Sequence, residues 1–254
     1  MNYQTIKVRF QESICFIQLY RPEANNTIND LLIEEFHEVL AICEESITVI
    51  VLEGLSEYFC FGADFQEIHR ETAAGKQREH SPELLYDLFL KLATGPYITI
   101  SHVKGKTNAG GMGFIAASDI VLADQTAQFS LSELLFGLLP ACVLPFLIRR
   151  VGFQKAHYLT LTTMPVSAQQ ASLWGLVDAY DEQSDSLLRK HLLRLRRLSK
   201  TGIVRYKLYM NQLNNSLLPS KPIALAANKE VFNDSQNLKL ISRYVETGKF
   251  PWED

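Results

Sequence analysis

Residues 97–123 read YITISHVKGKTNAGGMGFIAASDIVLA, and the order of patterns in this run decides the fold. The spacing predicts a strand over 97–103, a glycine-bearing turn, a short helix over 110–117 and a second strand over 120–123. The same rhythm extends upstream. A helix over 82–92 leads into the first of these strands. Before it, a helix from Asn29, with Leu32, Phe36, Val39 and Leu40 at helical spacing, leads into an apolar strand over 47–52. Asn29 can accept the orphan N–H bonds at that helix start. The run ITVIVL over 47–52 is of the kind buried on both faces of a parallel sheet, and such strand–helix–strand units cross over right-handedly. Alternating residues over 6–10 and an apolar run over 14–20, parted by Gln11-Glu12-Ser13, predict an N-terminal β-hairpin.

From Ala141 onward the patterns are helical almost without interruption. The strongest lies over 185–199, where Leu188, Leu192 and Leu195 form one stripe and Lys190, Arg194 and Arg197 another. Strands followed by helices predict an α/β core over residues 1–190 that carries the active site. A helical region over 191–254 would pack on that core or on a neighbouring subunit. The polar stretch ETAAGKQREHS over 71–81 has little periodicity and is expected to be mobile.

With 254 residues, 47% of them apolar, the chain can bury a large core. A net charge of -3 gives no bulk footprint for nucleic acid and leaves small molecules or proteins as partners. No uninterrupted apolar stretch of about 18 residues is present to predict a membrane span. Cys15, Cys43, Cys60 and Cys142 form no CxxC pair and no zinc spacing with histidine. The first residues carry no basic segment followed by an apolar one. Reduced thiols, no metal and a cytoplasmic protein are therefore expected. His102, inside an apolar strand, is expected to be a core histidine.

Chemistry concentrates in two glycine-bearing turns, FCFGADF over 59–65 and NAGGMG over 108–113. Both are expected at the carboxyl ends of strands, where ligands of α/β sheets collect, and glycine there lets backbone approach a ligand. Each also opens a helix, so free N–H groups favour a negative oxygen. Two such donors converging would form an oxyanion hole, whereas either turn alone is equally a helix start. Gly111-x-Gly113-x-x-Ala116 also matches a dinucleotide fingerprint. Its helix is short, however, and the acidic partner Glu133 lies beyond two further segments.

Together with RPEANNTIN over 21–29, LSELLFGLLP over 131–140 and WGLVDAYD over 174–181, these turns resemble the crotonase (enoyl-CoA hydratase/isomerase) superfamily. The resemblance implies an α/β crotonase-like ββα spiral with a helical C-terminal trimerisation region. It places the carbonyl oxygen of an acyl thioester between the backbone N–H groups of Ala63 and Gly110. Glu133 is implied as the proton-transfer carboxylate, with Ala24, Asp64, Phe65, Tyr86, Gly111 and Ser132 around the substrate. Hydratases of the superfamily typically carry a second glutamate three residues after the oxyanion glycine; here that position is Gly113.

At a finer level, FSLSELLFGLLPACVLPFLIRR over 129–150 and RYVETGKFPWED over 243–254 resemble one branch. It is the dehydratase of the β-branching cassette that accompanies trans-acyltransferase polyketide synthases. This resemblance implies removal of water from a 3-hydroxy-3-methylglutaryl group on the phosphopantetheine of an acyl carrier protein, giving a 3-methylglutaconyl thioester. It implies a carbon–oxygen lyase without a cofactor, assembled as a homotrimer or dimer of trimers. A coenzyme A thioester is the alternative substrate carrier, although Glu23 in the RPEANN loop favours a carrier protein. Acidic carrier proteins would be steered by Lys190, Arg194 and Arg197 or by Arg149-Arg150. A decarboxylase or enoyl isomerase of the same fold remains open, as does a noncatalytic thioester-binding protein.

Overall fold

The computed structural model describes residues 3–74 and 82–253. Strands β1 (Ile6–Gln11) and β2 (Ile14–Leu19) form the expected antiparallel hairpin. Asn29 caps helix α1 (Asp30–Ser46) by accepting the Leu32 N–H at 3.0 Å. This helix returns the chain to β3 (Val49–Glu53), parallel to β2. Then come β4 (Tyr58–Cys60), α2 (Phe65–Ala73), α3 (Pro82–Thr94), β5 (Ile98–Val103) and β6 (Lys106–Asn108). The short helix α4 (Gly111–Ala117) precedes β7 (Ile120–Asp124) and β8 (Gln128–Ser130). The rest is α5 (Leu144–Val151), α6 (Phe153–Thr162), β9 (Val166–Ser167), α7 (Ala168–Leu173), β10 (Ala179–Asp181), α8 (Ser184–Leu195), α9 (Lys200–Leu213), α10 (Leu217–Asn233) and α11 (Ser235–Thr247).

Two sheets result. The larger has the order β1-β2-β3-β5-β7-β10, and the smaller β4-β6-β8-β9. The larger sheet contains every long strand that the apolar runs predict. The smaller consists of strands of two or three residues, too short to leave a periodic trace. Two expectations are corrected at this level, and a boundary can be placed on the elements. The stretch over 71–81 begins inside α2, which runs to Ala73, while residues 75–81 lie outside the described residues. The C-terminal helical run is interrupted by β9 and β10, which extend both sheets. The expected division between residues 190 and 191 falls inside α8.

The main core lies where α1, α3, α4 and α5 bring Phe36, Phe89, Phe114 and Phe146 together in tilted and edge-on contacts. Burying each such side chain stabilises the fold by about 1.5–3 kcal/mol. Another cluster places Leu188 of α8 against Val49, Val51, Ile100 and Leu122, leaving Lys190, Arg194 and Arg197 exposed. His102 is buried in β5, its Nδ1 3.5 Å from Glu53 Oε1. The C-terminal helices fold back on their own chain: Ile241 of α11 packs with Ile68 of α2, Phe136 and Leu138. Among the described residues no helix is long and apolar enough to cross a membrane.

Candidate active site

Parallel pairing sets Cys60 of β4 opposite Thr107 of β6. Each strand runs directly into one glycine-bearing turn, so the turns meet because their strands are hydrogen-bonded. The long strands β3 and β5 stand one element further back than the sequence suggested. Gly62 has a φ of 85°, and a Cβ on it would lie 2.6 Å from Ala109 Cβ and 2.9 Å from Gly110 N. Only glycine combines that backbone conformation with that approach. Ala109 is itself left-handed, at φ 51°, with its N–H donating to Ser130 O at 3.1 Å.

The orientation of the first amide follows from a one-residue bridge. Ile28 N–H donates to Gly62 O at 2.7 Å, and Asp64 N–H donates to Ile28 O at 3.1 Å. In such parallel pairing the middle residue directs its own N–H to the other side, so Ala63 N–H faces away from Ile28. Gly110 is the N-cap of α4, and its N–H has no intrahelical partner. Ala63 N lies 3.9 Å from where a Gly110 Cβ would be. Among the described residues neither amide donates to a carbonyl of the protein. Both residues line one cavity of about 1260 Å³.

Glu133 lines the same cavity. It opens a single turn of 3₁₀ helix, Glu133–Phe136, which the left-handed Gly137 ends. Asn108 sets the start of this turn: its Nδ2 donates to Ser132 Oγ at 2.7 Å, and its Oδ1 accepts from Ser130 Oγ at 2.8 Å. Glu133 is 9% exposed, and its Oε2 has no hydrogen-bond partner among the described residues. Burial pushes its carboxyl up to about 7, outweighing the opposing pull of backbone N–H bonds from Glu133 and Ser132. A group that exchanges its proton near neutrality, beside free amide donors, can move a proton next to a polarised carbonyl.

The other expected site residues divide. Ala24, Asp64, Phe65 and Ser132 line the cavity. Asp64 is fully engaged, since Oδ1 accepts the Glu67 N–H at 3.0 Å as cap of α2 and Oδ2 accepts from Arg21 at 2.8 Å. It holds the first turn in place and leaves little capacity for a ligand. Tyr86 is corrected: it lies outside the cavity lining, its ring 5.1 Å from Phe146 and its hydroxyl donating to Leu217 O at 2.6 Å. Gly111 is likewise outside the lining, because a Cβ there would lie 2.4 Å from Cys60 O; its role is close packing of α4 on β4. The dinucleotide reading fails for the same reason, since Gly111 and Gly113 are packed against protein.

Arg150 is also corrected as a docking residue. Its guanidinium is spent on Asp178 at 2.6 Å, Leu176 O at 2.8 Å and Ser118 O at 2.9 Å. Lys190 and Arg194 are exposed on α8 and Arg197 in the turn after it, and none lines the cavity. Two residues escaped sequence reasoning. Asn108 stood in the quoted turn without a role, and Arg21 opened the RPEANN run without an identified acid. All four cysteines are buried thiols, and Cys142 lines the cavity.

The family model described as Enoyl-CoA hydratase/isomerase matches residues 9–254. The chain belongs to this family. Among members of the enoyl-CoA hydratase/isomerase family, bacillaene synthase dehydratase PksH of Bacillus subtilis (strain 168) is 66% identical over 255 residues, covering 100% of this chain and 98% of that protein. The crystal structure of PksH from Bacillus subtilis matches with a TM-score of 0.96 at 65% identity, covering 98% of this chain and 100% of that one. The 2,3-dehydroadipyl-CoA hydratase of Escherichia coli (strain K12) is 29% identical over 234 residues, 91% of this chain and 82% of that protein. An enoyl-CoA hydratase/isomerase structure from Mycobacterium paratuberculosis, at 21% identity, shares the fold with a TM-score of 0.86 over 94% of this chain and 98% of that one. The crotonase-type fold expected from the sequence is the fold of these structures.

Proposed function

We propose that this family member removes water from a 3-hydroxy-3-methylglutaryl group held as a thioester on an acyl carrier protein, giving the 3-methylglutaconyl thioester. One observation carries the reading: the unpartnered Oε2 of buried Glu133 shares a cavity with the free N–H groups of Ala63 and Gly110. The 66% identity to a bacillaene synthase dehydratase supports the reaction class and a carrier-bound thioester.

The Glu133 carboxylate takes a proton from the carbon beside the thioester, and the electron pair moves onto the carbonyl oxygen. The Ala63 and Gly110 N–H groups stabilise that oxygen as its charge develops; losing one such donor typically costs about 2.7–4 kcal/mol. The pair then returns to form the carbon–carbon double bond as the tertiary C–O bond breaks. Glu133 gives its proton to the departing hydroxyl, so water leaves and the carboxylate is restored. The cycle balances without a cofactor, and Glu133 acts on one face of the substrate. Asn108, through Ser132, positions Glu133.

Of the basic residues that line the cavity, Arg70, Lys106 and Lys229 are exposed, as a mouth receiving an acidic carrier protein in the cytoplasm requires. Assembly as a homotrimer or dimer of trimers would cover Phe153, Leu161, Met164 and Leu173, which are 54–76% exposed in the isolated chain. Incubation with a 3-hydroxy-3-methylglutaryl-loaded carrier protein, read by mass spectrometry, tests the function. Loss of water is the expected result. Loss of carbon dioxide would make the chain a decarboxylase, and an unchanged adduct would leave only thioester binding.

A further inference from the structure

The proposed substrate ends in a second carboxylate, beyond the carbon that loses its hydroxyl. That charge must leave water when the acyl group enters the cavity, which is unfavourable unless a cation or donor meets it. Four cationic side chains line the cavity: Arg21, Arg70, Lys106 and Lys229. Their surroundings separate them.

Arg21 is already neutralised by Asp64 at 2.8 Å and also donates to Thr27 O at 2.7 Å. Arg70 stands with Arg21 in the electrostatic environment of Glu67, beside the loop over 21–27, and its Nε donates to Gln66 O. Lys106 begins β6, four residues before Gly110, so its backbone lies at most about 13 Å from that amide at about 3.3 Å per residue, and its side chain is exposed. Lys229 lies elsewhere. Glu83 is held below its ordinary value first by its hydrogen bond with Lys221, at 2.9 Å, and Lys229 on α10 adds only a weaker attraction to it. Lys229 makes no ion pair among the described residues. On α3, Pro82 and Leu85, which lie on either side of Glu83 in the sequence, line the same cavity as Lys229 together with Cys142 and Val143, an apolar wall suited to the acyl group.

We infer that Lys229 is the specificity-determining residue that receives the distal carboxylate of the acyl group, selecting thioesters of branched 3-hydroxy dicarboxylic acids over their monocarboxylic counterparts. The inference rests on the dehydratase reading above. The ammonium on its long, exposed stem can follow the substrate inward, pairing with the carboxylate while α10 and the apolar wall exclude water from the reacting carbons. The adjacent Asn228 also lines the cavity and adds an amide at the same end.

The test compares kcat/KM for two loaded carrier proteins, one bearing 3-hydroxy-3-methylglutaryl and one bearing 3-hydroxy-3-methylbutyryl, which lacks the distal carboxylate. The wild-type protein should prefer the first. Lys229→Ala should narrow that preference about 10- to 100-fold, chiefly through KM, as expected for losing a charge-assisted bond. Lys229→Arg should retain most of it. An unchanged preference in Lys229→Ala, or equal losses on both substrates, would overturn the assignment while leaving the dehydratase reading intact. If the wild-type protein removes water from neither substrate, the dehydratase reading itself falls and the assignment with it.

Discussion

A Cβ on Gly113 would lie 2.2 Å from Cζ of Phe89. That ring is fully buried and locked edge-on against Phe114 and Phe146, at 5.2 and 5.8 Å. Position 113 is where hydratases of this superfamily carry a second glutamate, so the aromatic core occupies the space that carboxylate would need. In the proposed mechanism Glu133 therefore serves as both acid and base, with no second carboxylate at position 113.

Gly113→Ala should therefore destabilise the protein by about 1–3 kcal/mol through overpacking, read as a lower urea midpoint at unchanged slope. Gly113→Glu should gain no hydration of a crotonyl thioester. A stable Gly113→Glu protein that hydrates crotonyl thioester would show that Phe89 yields easily.

Gly62→Ala should cripple turnover while leaving the fold in place. The added methyl meets Ala109 Cβ at 2.6 Å and Gly110 N at 2.9 Å, pushing apart the two donors. A kcat reduction of roughly 10²- to 10³-fold, with a native circular dichroism spectrum, is expected for loss of one donor. Undiminished turnover would separate the Gly110 amide from the reaction.

The titration of Glu133 fixes both activity and stability against pH. As the proposed base it must be ionised, so kcat/KM should rise with pH through about 7 and then level off. Glu133→Gln should lower kcat by about 10²- to 10⁴-fold and leave carrier binding intact. For stability the sign is opposite. The folded carboxyl holds its proton more tightly than its ordinary value of 4.5 allows, so its contribution is full below pH 4.5 and is lost as pH rises through 7. Above pH 7 Glu133→Gln should be the more stable protein, and chemical denaturation at pH 5 and pH 8 checks the crossover.

Tyr86→Phe should cost about 1–3 kcal/mol of stability, because Leu217 O loses its buried donor, while kinetic constants stay at wild-type values. A raised KM with no loss of stability would return Tyr86 to the substrate pocket.

The legibility of the sequence followed the length of each element. Helix α1 and strands β3 and β5 are long enough for their apolar spacing to identify them. The Asn29 cap could be read from its position alone. Strands β4, β6 and β8, with three residues each, carry no period, yet they place Ala63 beside Gly110. Glu133 was legible through its motif, but its burial was not, since the turn it opens carries Phe136, which packs with Ile68 and Ile241 from distant segments. Tyr86 misled because a tyrosine on the correct helix can turn either toward the cavity or toward α10. Arg21 and Asp64, 43 residues apart, gave no local sign that they pair.

Tyr244, Val245 and Phe250 help line the cavity whose donors lie at Ala63 and Gly110. A ribosome adding about 5–20 residues per second finishes this lining roughly 10–40 s after the first donor has been made. The nascent polypeptide therefore passes through most of its synthesis with an incomplete reaction chamber, and chemistry on the thioester waits for the final helices to arrive.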